Sequence, residues 1–161
     1  MKAKTVEFRR RLRNGETLAD IQAGMGGILI GELLEANKEV AHSVEKLILQ
    51  PMQAQEELRR YLLNNGYEIL DEVLVKEDFR IYEIIVAKYT SKNTVVDDEI
   101  YYEVGKKLIE NKDPLLNEFI DKKIFMYNSI LKKLEGKTGE EIEKKIKIST
   151  EKISKLENLK K

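Results

Sequence analysis

Apolar residues along this chain change their spacing several times, and each change marks a different kind of element. From Ile28, the positions Ile28, Leu29, Leu33, Leu34 and Val40 recur near helical spacing and predict a helix beginning where a glycine-rich segment ends. Before the glycines, Leu18-Ala-Asp-Ile-Gln22 follows the turn signal Asn14-Gly15 and leaves room for a short strand. Residues 1 to 14 show neither period. Leu47-Ile-Leu-Gln-Pro51 is a short continuous apolar run closed by proline, the pattern of a buried strand that meets a loop. Ala54 to Asn64 reads as a helix with Leu58, Tyr61 and Leu62 on one face and Arg59 and Arg60 on the other, stopped by Asn65-Gly66. Tyr67 to Lys76 and Arg80 to Tyr89 are rich in β-branched and aromatic residues, and the polar Glu77-Asp78 between them predicts a hairpin. Its second strand is nearly continuously apolar and should be buried on both faces.

Beyond Tyr89, residues 90 to 94 read as a linker and the remainder as helix. Leu116, Ile120, Ile124, Tyr127, Leu131 and Leu134 form a heptad-like stripe that requires a partner helix. Gly136-Lys-Thr-Gly139 turns the chain back, and Ile142, Ile146, Ile153 and Leu156 supply the facing stripe. Two domains are therefore expected: an α/β part over residues 1–89 and a helical coiled-coil part over 95–161.

Composition narrows the chemistry. Charged residues make up 36% of the 161 positions, above the roughly 25% of ordinary domains, which agrees with long solvated helices. Cysteine is absent and histidine occurs once, at His42, so disulfides, zinc sites and a Ser/His triad are excluded as expectations, and His42 reads as a surface helix residue. No apolar run approaches the ~18 residues of a membrane span, which places the expected product in the cytoplasm, away from membranes. The zero net charge conceals a segregation, since residues 1–14 carry six Lys or Arg against one Glu, and residues 132–161 carry ten Lys against six Glu. Arg9, Arg10, Arg11, Lys132, Lys133, Lys144 and Lys145 are thus candidates for RNA contact, because phosphates are held mainly by Lys and Arg. Ordinary solvated helix faces account for the same charges equally well.

The segment Ala23, Gly24, Met25, Gly26, Gly27 combines glycines, which permit positive φ and close approach, with the free N–H groups of a helix start. It is not a dinucleotide fingerprint and lacks the P-loop Lys-Ser/Thr; a plain strand-to-helix turn explains it as well. Gln50 and Pro51 end a second strand, and in doubly wound sheets ligands bind at such strand ends.

The order Ala23-Gly-Met-Gly-Gly27, Leu47-Ile-Leu-Gln-Pro51, Leu58-Arg-Arg60, Asn65-Gly66 and Asp78-Phe-Arg-Ile-Tyr-Glu83 closely resembles the bacterial tRNA (adenine-22-N1) methyltransferase family, the TrmK type. Tyr102-Glu-Val-Gly105 and Asp113-Pro-Leu-Leu116 continue the likeness. The resemblance implies the C-terminal half of a class I, Rossmann-like methyltransferase sheet ending in a β-hairpin, followed by an α-helical coiled-coil extension that helps engage tRNA. It further implies S-adenosylmethionine as cofactor and adenine N1 as methyl acceptor. Ala23 to Gly27 would be the loop after strand four, facing cofactor and base, with Gln50, Pro51, Met52 and Gln53 bordering the same pocket after strand five. No metal is implied, because adenine N1 presents a lone pair and alignment supplies most of the help.

The family's acidic glycine loop after strand one, and its ribose-holding carboxylate after strand two, have no counterpart in the residues before Gly24. The expectation is therefore a fragment, split protein or decayed gene product that binds S-adenosylmethionine weakly alone. An exposed sheet edge should follow, inviting self-association or a second chain that completes the sheet. A noncatalytic RNA-binding or helical interaction module is the alternative reading.

Overall fold

The structure is a computed structural model that describes the backbone of residues 18–21 and residues 25–160 in full. The expectations for residues 1 to 14, including Arg9, Arg10 and Arg11, and for Ala23 and Gly24, lie outside the described residues. A four-residue strand needs neighbours, and β1 (Leu18–Ile21) is held by parallel pairing to β2 (Lys46–Leu49), with Leu18 opposite Lys46 and Ile21 opposite Leu49. Parallel pairing demands a crossover, which the chain makes through α1 (Gly27–Ala36) and α2 (Lys38–Ser43). The single helix expected from Ile28 to Val40 is thus two. The break falls at Asn37, whose side-chain amide donates to the Leu33 carbonyl at 2.8 Å and competes with helix continuation.

After β2 come α3 (Gln55–Asn64) and the hairpin β3 (Tyr67–Glu77) and β4 (Arg80–Tyr89), as the sequence predicts. The strand order is β1-β2-β4-β3, with β4 antiparallel to both neighbours. Asp78 takes the left-handed conformation the turn requires (φ 52°), and a bulge between Ile69 and Asp71 bends β3. Side-chain alternation then fixes the layers. Leu47, Leu49, Ile85 and Ala87 join Ile30, Leu34, Leu58 and Leu62 in one core cluster, while Ile48, Ile84 and Val75 form another. Each fully buried Leu or Ile contributes about 1.5–3 kcal/mol. Glu83 through Ala87 are all buried, so β4 is covered on both faces.

Arg59 departs from expectation. Amphipathic spacing puts it on the outer face of α3, yet it is 1% exposed. Its Nε donates to Glu72 Oε1 at 2.7 Å, Nη2 to Glu83 Oε2 at 2.5 Å, and Nη1 to the Tyr102 carbonyl at 3.0 Å. Burial alone would lower the Arg59 pKa, but the two carboxylates outweigh it and hold the guanidinium above its ordinary value. Gly105 lets the chain approach this cluster, since a Cβ there would overlap the Glu72 carboxylate, and the Lys107 amide donates to Glu72 Oε2 at 3.3 Å.

Consequently the short helices α4 (Ile100–Glu103) and α5 (Lys106–Glu110) belong with the sheet. The chain forms two compact units, Met1–Asp113 and Pro114–Lys161, so the division falls after the expected 89/95 boundary. In the second unit, α6 (Leu116–Leu134) and α7 (Glu140–Leu159) run antiparallel: Lys160 reaches Asp121 at 2.6 Å, and Lys152 lies over the Tyr127 ring. Gly136 and Gly139 make the turn at positive φ. Leu116, Ile120, Tyr127 and Leu156 of the two apolar stripes are buried. No helix among the described residues is long and apolar enough to cross a membrane.

Arg59→Met should cost about 3–5 kcal/mol in urea denaturation, because it strands two buried carboxylates. Adding Glu72→Gln and Glu83→Gln should return part of that loss. A single-variant cost under about 1 kcal/mol would contradict the structural role given to the cluster.

Candidate functional site

Because β1 and β2 are parallel neighbours, the segments after their C-terminal ends emerge on one side of the sheet. Their loops are joined backbone to backbone. The Met52 amide donates to the Met25 carbonyl at 3.0 Å, and the Gly27 amide donates to the Gln53 carbonyl at 2.7 Å. Of the residues expected from the sequence to share a site, Met25, Gly26 and Gly27 meet Met52, Gln53 and Ala54, the residues that directly follow Gln50 and Pro51.

The physical reason for the glycines differs from the one first expected. Gly26 has φ −75°, and Gly27 starts α1, so neither uses the positive-φ freedom of glycine. What they permit is contact. A Cβ at Gly27 would overlap the Ala54 carbonyl oxygen, and one at Gly26 would lie 3.1 Å from Gln53 Cγ. The second loop consequently rests directly on the first.

Gln50 is 2% exposed and Pro51 is buried, so this end of β2 faces the interior, whereas Met52 and Gln53 face outward. The Gln53 carboxamide lies along Gly26 and has no hydrogen-bond partner among the described residues. Ala54 adopts the left-handed conformation (φ 55°, ψ 42°) at the start of α3, at a cost of about 1–2 kcal/mol for a residue with a Cβ. Sequence reasoning missed Ala54, because alanine carries no signal for that conformation.

The lysines singled out from the sequence divide. Lys144 is bound to Glu140 at 3.0 Å and lies 3.9 Å from Glu141. Lys132, Lys133 and Lys145 are exposed and have no acidic partner among the described residues. His42 is not a bare surface residue, for its ring stacks on Tyr89 with centroids 3.4 Å apart and planes 4° from parallel. A separate cavity of about 570 Å³, lined in part by Leu63, Ile69, Tyr101 and Lys107, contains none of the loop residues. Among the described residues no group of three or more His, Asp or Glu is placed to hold a metal ion.

A parallel strand pair with interlocked C-terminal loops, closed by a reversed hairpin, is the arrangement of the C-terminal half of a Rossmann-like methyltransferase sheet. The family model of the tRNA (adenine(22)-N(1))-methyltransferases, TrmK, matches residues 10–158, and the chain belongs to that family. It is 38% identical over 86 residues to the tRNA (adenine(22)-N(1))-methyltransferase of Bacillus subtilis (strain 168), covering 53% of this chain and 36% of that protein. The crystal structure of the B. subtilis m1A22 tRNA methyltransferase TrmK superposes with a TM-score of 0.74 at 27% identity, over 89% of this chain and 62% of that one. The fold is also that of M. capricolum TrmK, solved in complex with the cofactor product S-adenosyl-homocysteine, with a TM-score of 0.68 at 22% identity over 92% and 64% of the two chains. The chain thus spans about a third of the curated relative and about three fifths of the solved structures.

Gly27→Ala should force the two loops apart. The loss expected in thermal or urea unfolding is about 2–4 kcal/mol, in the range of overpacking plus a broken backbone hydrogen bond. Gly136→Ala, at a turn with open space around it, should cost less. The reverse ranking would remove the interlock as a constraint.

Proposed function

We propose that this chain works in the methylation of adenine N1 in tRNA, with S-adenosylmethionine as the methyl donor. Its loops would form the adenine-facing wall of the pocket and its helical hairpin would hold the RNA. The observation carrying this reading is the junction of Met25–Gly27 with Gln50–Ala54, which builds a rigid wall at the end of the sheet where such ligands sit. When bound, the cofactor supplies an electrophilic methyl group on a sulfonium.

The residues present fit one side of that group. Loop backbone and the outward Gln53 carboxamide can border its adenosine and the target base, but the loop segments 25–27 and 50–54 contain no carboxylate to hold ribose hydroxyls. The Met25, Gly26 and Gln53 carbonyls are already engaged by the Met52, Ile30 and Gly27 amides, so they serve to fix the wall. Gln53 retains the oxygen able to face the cationic adenine that N1 methylation leaves. Family membership and the described residues support a cytoplasmic protein acting on tRNA. Residues outside the described ones, a second chain, or a second copy paired along the β1 edge would supply the other wall, since β1 has β2 as its one strand neighbour among the described residues. Ala23 and Gly24 belong to the same wall by sequence, and Arg9, Arg10 and Arg11 to the RNA-binding surface together with Lys132, Lys133, Lys144 and Lys145.

Titration calorimetry should find weak S-adenosylmethionine binding to the isolated chain, with micromolar affinity overturning the incomplete-pocket reading. A gel shift with tRNA at two salt concentrations should show binding that weakens as salt rises. Absence of a shift at low salt would remove the RNA role.

A further inference from the structure

Hydrophobic side chains on α6 divide into two sets. Leu116, Ile120 and Tyr127 are buried on the expected stripe, whereas Phe125 is 75% exposed and Met126 46% exposed. Helical spacing places Phe125 in line with Lys132, seven residues or two turns onward, with Lys122 three residues before it and Ser129 four after. Ser129 turns its hydroxyl back to the Phe125 carbonyl at 2.8 Å. Lys132 and Lys133 have no acidic partner among the described residues, whereas Lys122 lies 3.8 Å from Glu118 and is otherwise engaged. An aromatic ring thus stands exposed two turns from Lys132, while Asp121 on the N-terminal side of the same face is taken by Lys160.

We infer that this face is a stacking platform for an unpaired base of the RNA, with Phe125 under the base and Lys132 and Lys133 on the flanking phosphates. Charge selects this occupant. Glu118 and Asp121 on the same face are already met by Lys122 and Lys160, which leaves Lys132 and Lys133 to attract a polyanion, and every base offers a face to an aromatic ring. The inference rests on the proposed RNA role of the hairpin and adds to it a division of labour: lysines supply the salt-dependent part of binding and Phe125 the salt-independent part.

Two variants of the full chain separate these parts, measured by filter binding to a tRNA transcript over a series of KCl concentrations. Phe125→Ala should weaken binding about tenfold at every salt concentration, leaving the slope of log affinity against log salt unchanged. Phe125→Trp should restore it. Lys132→Ala with Lys133→Ala should make that slope shallower by about 1 per lysine. On a perfect RNA duplex, whose bases are stacked away, Phe125→Ala should have no effect. Phe125 is exposed, so circular dichroism should find α6 intact. Parental affinity of Phe125→Ala for tRNA, or an oligomer in sedimentation that this variant dissolves, overturns the platform while leaving the RNA role standing. Failure of the parent chain to bind tRNA at any salt removes both.

Discussion

One guanidinium organises the first unit. Arg59 leaves α3, passes under the hairpin, and meets carboxylates from β3 and β4 and carbonyls at the end of α4. Burying a charge costs several kcal/mol per ion after relaxation, so such an arrangement persists only where nearly every donor is matched. Here geometry meets that condition, because Glu83 takes Nη2 while Glu72 takes Nε and also the Lys107 amide. Desolvation still pushes the Glu72 carboxyl up, with Arg59 opposing it and Glu83 adding to it. Buried ion clusters commonly contribute less stability than well-packed apolar residues, and what this one supplies in the structure is a fixed arrangement. It joins helix, hairpin and the 100–110 segment in one register.

That register also disposes of an exposed strand edge. β3 ends the sheet, and a free row of amides and carbonyls invites pairing with another chain. The segment docked by Arg59 runs alongside β3, the buried Leu74 amide donates to Asp113 at 3.0 Å, and the bulge at Ile69/Asp71 bends the strand. Arg60, the next residue of α3, lays its guanidinium over the Tyr102 ring at 4.1 Å and strengthens the same docking.

Periodicity made the strands, the main helices and the helical hairpin legible, because each is a local pattern of apolar spacing. The family could be identified from ordered motifs, and residues 25–27 and 50–53 do follow the ends of β1 and β2. Part of what stayed hidden depends on partners far along the chain, and part on which of several local contacts wins. Arg59 looks like any outward arginine until Glu72 and Glu83 are folded beside it, and the break at Asn37 turns on one amide finding the Leu33 carbonyl. Gly26 and Gly27 were read for backbone freedom when they serve contact with Gln53 and Ala54. Lys144 and Lys145 each follow a glutamate by four residues, yet only Lys144 forms an ion pair among the described residues.

These placements bear on the RNA role proposed for a chain of zero net charge. Residues 114–161 hold twelve lysines against eight carboxylates, and several of those carboxylates are committed to lysines on their own helix. The field available to a polyanion is therefore modest and is screened over about 8 Å at physiological ionic strength. Under the proposed role, attraction of that size would bring RNA to the hairpin without fixing where along it the RNA rests. A short-range contact would then set the position, and the exposed ring at Phe125 can supply it, since stacking acts only at van der Waals distance and survives salt.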